Sequence, residues 1–224
     1  MFSKAVAFLL STAPLGLLAD FPTMVWFESC PRNVQRADRP SPENLDKYLG
    51  IWYDSAHSKN SFQTSAFHCP TAEYSKPYNY PEEVKVTNCQ INNRNGNADC
   101  LDGKAVWIED GAFRVSFGGA SEFFANLGGG ANYNVVETDD EMAEYAIVYG
   151  CSGFGIGHLP FLWVLTRENN VPAEKLEAWK ERGLELYKEF GASNGALKTM
   201  RRNFLTNDAV SNCDKNPSLL RNGD

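Results

Sequence analysis

Histidine is scarce in this chain, three residues in 224, and His57, His68 and His158 stand at no spacing that would hold a metal or haem. The net charge is −7 and no block of Lys and Arg occurs, which excludes the electrostatic footprint of a nucleic-acid or anionic-membrane binder. There is no Cys-x-x-C pair, so a zinc ribbon or dithiol redox centre is excluded, and no Asn-x-Ser/Thr sequon, so N-glycosylation is not expected. No Ser/His/Asp pattern offers a nucleophile. Gly153, Gly155 and Gly157 alternate as in a phosphate loop, but they precede a strand pattern rather than opening a helix, so no nucleotide site follows. No apolar run is long enough to span a bilayer.

The longest such run, residues 5–19, follows the basic Lys4, is broken by Pro14 and gives way to Asp20. This reads as a secretory signal over residues 1–19, cut after Ala19, and implies an extracellular destination. In an oxidising compartment the six cysteines, Cys30, Cys69, Cys89, Cys100, Cys151 and Cys213, read as a disulfide framework, for which arithmetic alone allows fifteen connectivities. Hydrophobic residues make up 43% of the chain, enough for one substantial core, so a single domain is expected.

From about residue 50 to 167, short runs rich in Val, Ile, Tyr, Phe and Trp alternate with Asn, Gly, Asp and Pro clusters. Strands are predicted at 50–57, 70–76, 82–91, 99–108, 112–118, 132–138, 144–151 and 160–168. Eight such strands suit a closed antiparallel β-barrel, which leaves no edge exposed. Within the runs, Phe113, Val115 and Phe117 share one face against Arg114 and Ser116, and Val84, Val86 and Asn88 form another inward set. One amphipathic helix follows at 172–190, with Pro172 suited to its first turn and Gly191 to its C-terminal cap. Leu176, Trp179, Leu186, Tyr187 and Phe190 share its apolar face. The last strand, FLWVL, is apolar on both sides, which places Phe161, Trp163 and Leu165 inside the barrel and Leu162 and Val164 beneath the helix. The chain thus divides into a leader (1–19), an N-terminal segment (20–43), a barrel with its helix (44–206) and a polar tail (207–224).

The stretch NLDKYLGIWYD carries Gly50-Ile51-Trp52, and ETDDEM places Thr138 and Asp139 before a turn into Tyr145. LPFLWVLTREN ends its apolar part at Arg167. In this order and spacing the three segments resemble the three motifs of the lipocalin family. Cys30-Pro31, Cys151 and the late Cys213 make the likeness greatest to the apolipoprotein D, bilin-binding protein and crustacyanin branch. The second motif departs from the family, with Asp140 where a tyrosine is usual and about two extra residues before Tyr145.

The resemblance implies an eight-stranded up-and-down barrel with Trp52 plugging the closed end and Arg167 packed over its ring. It also implies disulfides Cys30–Cys151 and Cys69–Cys213. Cys89 and Cys100 are left, and they flank a hairpin on which Cys89 faces outward, which suits a cross-strand bridge. Parity and resemblance together give the ligand-facing wall as Tyr74, Val86, Asn88, Phe113, Val115, Phe117, Tyr133, Val135, Phe161 and Trp163. Such a wall suits a lipid, sterol, retinoid, bilin or carotenoid as bound cargo, with no metal and no other cofactor. The expected function is therefore secreted binding or transport of a small hydrophobic ligand, not catalysis. Two alternatives stay open: an enzyme of the same fold acting on a lipid or carotenoid, which would need a free thiolate in the cup, and a protein-interaction module or homo-oligomer joined through the open-end loops. Those loops carry Phe123, Phe124, Leu127, Phe154 and Ile156 between glycines, either as a lid or as a partner surface.

Overall fold

The computed structural model describes residues 30–31, 33–60, 63–77, 82–117, 132–153, 158–207 and 213. The predicted leader, the apolar loop residues Phe123, Phe124, Leu127, Phe154 and Ile156, and most of the tail lie outside the described residues.

Strands form where period-2 patterning was read. They are β1 (Gly50–Ser58), β2 (Phe67–Ser75), β3 (Glu83–Asn92), β4 (Ala98–Glu109), β5 (Ala112–Ser116), β6 (Tyr133–Thr138), β7 (Tyr145–Gly153) and β8 (His158–Thr166). Each pairs antiparallel with the next, and β1 closes the barrel by pairing with both β8 and β2. A ninth strand, β9 (Phe204–Thr206), was not foreseen. It takes the place of β2 beside the second half of β1: Gly50 to Tyr53 face β2, whereas Ala56, His57 and Ser58 face Thr206, Leu205 and Phe204.

Two short helices were also unforeseen. α1 (Leu45–Tyr48) sends Leu45 and Tyr48, one turn apart and each 1% exposed, into the barrel's closed end. α3 (Asn194–Arg202) is capped by the Ser193 side chain and buries Ala196 and Met200. Between them in the chain, α2 (Ala173–Glu189) is the amphipathic helix expected from the pattern. Pro172 is its N-cap, with φ −54° and ψ 132°, rather than a residue of its first turn, and Phe190 is the C-cap ahead of Gly191. The missing N–H of proline costs nothing at either position.

Two cores share the barrel wall. Outside, Ile147, Tyr149, Leu162 and Val164 meet Leu176, Trp179, Leu184, Leu186, Tyr187 and Phe190 of the helical layer. Gly183 lets α2 approach, since a Cβ there would lie 3.3 Å from Leu162. Inside, Trp52, Tyr74, Val84, Val86, Phe113, Val135, Val148 and Leu165 pack with Leu45 and Tyr48. Full burial of a large apolar side chain is worth about 1.5–3 kcal/mol, so these layers carry the fold. β8 serves both: Leu162 and Val164 lie under α2 while Leu165 and Trp163 belong to the interior.

Candidate functional site

The closed end is sealed from the sequence upward. Gly50 adopts φ +92°, a left-handed conformation that other residues resist, and so turns the chain from α1 into β1. Two residues on, Trp52 is fully buried and its indole N–H donates to the Tyr48 carbonyl at 2.8 Å. The Arg167 guanidinium lies 3.7 Å from the centre of that ring. It donates to the carbonyls of Lys47, Ile51 and Met142 at 2.6, 3.0 and 3.1 Å, tying α1, β1 and the β6–β7 turn together. Burial lowers its pKa, but arginine stays charged. The β6–β7 turn is held by Asp139, whose carboxylate accepts from the backbone N–H groups of Ala143, Glu144 and Tyr145, and by the Thr138 hydroxyl donating to the Tyr145 carbonyl.

Above this plug three tyrosines converge. The Tyr74 hydroxyl donates to that of Tyr133 at 2.8 Å, and the Tyr48 and Tyr133 hydroxyls are also 2.8 Å apart. Burial pushes all three phenols up, Tyr74 to about 12, so each stays neutral in any ordinary buffer. With Leu45, Val84, Ala105 and Phe113 they form a tightly packed floor with no room for a water molecule.

The upper half of the interior is different. Val115, Phe117, Tyr133, Phe161 and Trp163 face inward and are only partly buried. Phe161 and Trp163 stack at 5.5 Å and 19°. The Trp163 ring crosses the Gly150 backbone, where a Cβ would be 2.9 Å from it, and Phe117 lies over Gly103, where a Cβ would be 2.5 Å from its ring. Asn88 is exposed, and Leu101 beside it is 54% exposed. The register of β3 with β4 puts both on the face of Val84 and Ala105, the interior. Leu205, 42% exposed, pairs with His57 on the same side. Among the described residues these two leucines are the large apolar side chains most exposed to solvent.

One wall carries a polar cluster that alternation alone does not reveal. A register shift at Ser55 lets Asp54 pair with Leu165 and His57 with Trp163, so both point inward although they are three residues apart. Each is about 95% buried. His57 Nδ1 lies 3.2 Å from Asp54 Oδ2, and the Asn207 amide reaches Asp54 Oδ1 at 3.3 Å and the His57 ring at 3.1 Å. Gln63 donates to Asp54 and accepts from the Trp163 indole at 3.1 Å and from Asn60 at 2.6 Å. Burial alone would lower the His57 pKa; the Asp54 charge and hydrogen bond, with the Gln63 backbone, outweigh it and raise the pKa overall. Every group in this cluster has partners, so it joins the β1–β2 connection and the residue after β9 to the cup wall. Of the other histidines, His68 bonds to Asn93 and His158 is buried at the start of β8. Among the described residues no three potential metal ligands come together.

The disulfides are Cys30–Cys151, Cys69–Cys213 and Cys89–Cys100, and they use all six cysteines. Cys89 and Cys100 are direct cross-strand partners on the outer face.

Residues 44–186 match the family model described as a lipocalin-like domain. The chain is 30% identical to apolipoprotein D of Cavia porcellus over 173 residues, covering 74% of this chain and 81% of that protein. With apolipoprotein D of Mus musculus it shares 32% over 159 residues, covering 67% and 77%. Its fold superposes on lobster apocrustacyanin A1 with a TM-score of 0.57 at 18% identity, covering 83% of this chain and 91% of that one.

Proposed function

This chain belongs to the lipocalin family, and from that membership we propose that it binds and carries a small hydrophobic molecule in the upper half of its barrel, outside the cell. The observation that carries the proposal is the exposure of Leu101 and Leu205 on the interior face, together with the partly exposed Val115, Phe117, Phe161 and Trp163. Apolar surface left wet on that face favours an apolar guest by about 25 cal/mol for each Å² it covers. Of the ten wall residues expected from parity, Val115, Phe117, Tyr133, Phe161, Trp163 and Asn88 would touch that guest. Tyr74, Val86, Phe113 and Val135 are buried in the packed lower half and would form its floor.

Two features support carriage over catalysis and secretion over a reducing compartment. All six cysteines are bridged, which leaves no thiolate for a cysteine-dependent isomerase. Three bridges within one domain also suit an oxidising route. Among the described residues no helix is long and apolar enough to cross a membrane.

Titration of the purified protein with retinol, a long-chain fatty acid, biliverdin and a carotenoid tests the reading. At least one should quench tryptophan fluorescence, with the quenching reduced by Trp163→Phe, and should raise the Tm. If none does either, the reading is wrong.

A further inference from the structure

A wall that only has to hold an apolar guest needs no ionisable group, yet a buried ion pair is built into this one. His57 pairs with Trp163 on β8 and with Leu205 on β9. Its ring therefore stands in one row of the inner wall, between two side chains that a guest would touch. Gln63 joins the pair to that surface, since its amide donates to Asp54 while its carbonyl accepts from the Trp163 indole.

His57 Nδ1 is held between an acceptor and a donor: Asp54 Oδ2 at 3.2 Å and the Asn207 amide nitrogen at 3.1 Å. As an N–H it donates to the carboxylate, and as a bare lone pair it accepts from the amide. The ring is bonded in either protonation state and can change charge without opening the wall. Its other neighbours carry no charge: Trp163 and Leu165 on β8, Leu205 on β9, and Asn60 and Gln63 in the β1–β2 connection. Tyr74 on β2 senses the Asp54 charge and stays neutral, and Lys59 is exposed. With His57 neutral the cluster holds the lone negative charge of Asp54; with His57 protonated its net charge is zero.

A guest in the upper cup strips water from Trp163 and Leu205, on either side of the ring. That drying penalises a lone carboxylate more than a neutralised pair, because the field of one charge reaches further than that of two opposed charges. The filled cup thus favours the imidazolium. Resting on the reading that the cup holds a hydrophobic guest, we propose that the Asp54–His57 pair takes up a proton as the cup fills, so that the guest is held in mildly acidic surroundings and let go as pH rises. The sign follows from linkage. A ring that binds its proton more tightly in the loaded protein strengthens binding below its pKa in the empty one, and the gain is lost as pH rises through its pKa in the loaded one.

The test titrates whichever of retinol, the fatty acid, biliverdin and the carotenoid binds into the parent and into His57→Gln, from about pH 6 to about pH 9. The guest's own ionisation is common to both proteins, so the difference between the two profiles is what is read. Over that range the affinity of the parent should fall about three- to tenfold further than that of the variant, a factor set by how far the filled cup moves one proton equilibrium. A second measurement needs no variant: the His57 ring signal, followed by NMR in the parent, should titrate at higher pH in the loaded protein than in the empty one. Parallel affinity profiles for parent and variant, or a His57 signal that titrates at the same pH loaded and empty, overturn the proposal while leaving carriage intact. If none of the four guests binds at any pH, carriage itself fails and takes this proposal with it.

Discussion

The guanidinium of Arg167 sits 3.7 Å above the ring centre of Trp52 and spends its N–H groups on three backbone carbonyls from three different segments. This one side chain is the meeting point of α1, β1 and the β6–β7 turn, and the closed end of the barrel depends on it. Arg167→Ala removes a cation–π contact worth about 0.5–2 kcal/mol and leaves carbonyls without a donor, at about 1–3 kcal/mol each if they stay dry. The expected loss is about 2–5 kcal/mol, read as a lower midpoint in urea. Arg167→Lys should recover less than half of it, because a point charge cannot serve three acceptors at once.

The Asp54–His57 pair gives the stability a pH dependence of defined sign. The folded-state pKa of His57 is raised, so the native chain binds the proton more tightly than the unfolded one. Its contribution is fully present below about pH 6.5, the unfolded value, and is lost as pH rises through the folded pKa. The Tm should fall over that window, and His57→Gln should flatten the fall. Asp54→Ala leaves a buried imidazolium without its partner and should cost about 3–5 kcal/mol near pH 6. An unchanged slope in His57→Gln would show that another group titrates.

The bridges differ in the chain they close. Cys69 and Cys213 are 144 residues apart and Cys89 and Cys100 only 11. Loop-closure entropy scales with the logarithm of that separation, so replacing the long bridge with serines should destabilise by about 2 kcal/mol more than replacing the short one. Chemical denaturation of the two double variants measures the difference. The long bridge also buries Cys69 and Cys213 against Ile91, which adds to its share.

Gly103 is required by what lies over it. Its missing side chain makes room for the Phe117 ring, and a Cβ would come within 2.5 Å of both that ring and the Ser116 carbonyl. Gly103→Ala should cost about 1–3 kcal/mol and displace Phe117 from the inner wall. If Phe117 contacts the guest, affinity should fall as well, which a titration of the variant reads directly.

Much of the fold was legible because the signals were local. Alternation in AFRVSF and EVKVTN located β5 and β3 and their inward faces, and the both-sided apolarity of FLWVL anticipated β8 between the interior and α2. The Trp52–Arg167 contact and the bridges Cys30–Cys151 and Cys69–Cys213 came from resemblance, whereas Cys89–Cys100 was read from the hairpin those two residues flank and the outward parity of Cys89. What was missed is short or non-local. α3 has nine residues with a glycine at its second position and few apolar anchors, and β9 has three residues whose partner lies some 150 positions earlier. The inward pairing of Asp54 and His57 was hidden because a period-2 reading puts residues three apart on opposite faces, and only the bulge at Ser55 brings them together.

The central claim is that the upper barrel holds an apolar guest, and native mass spectrometry of the protein purified from its own source tests it most directly. The account predicts a one-to-one adduct of a few hundred daltons that organic solvent releases, and that Leu101→Asp weakens without unfolding the barrel. A protein that flies bare from its source, and stays bare after incubation with retinol, fatty acid, biliverdin and carotenoid, would contradict it.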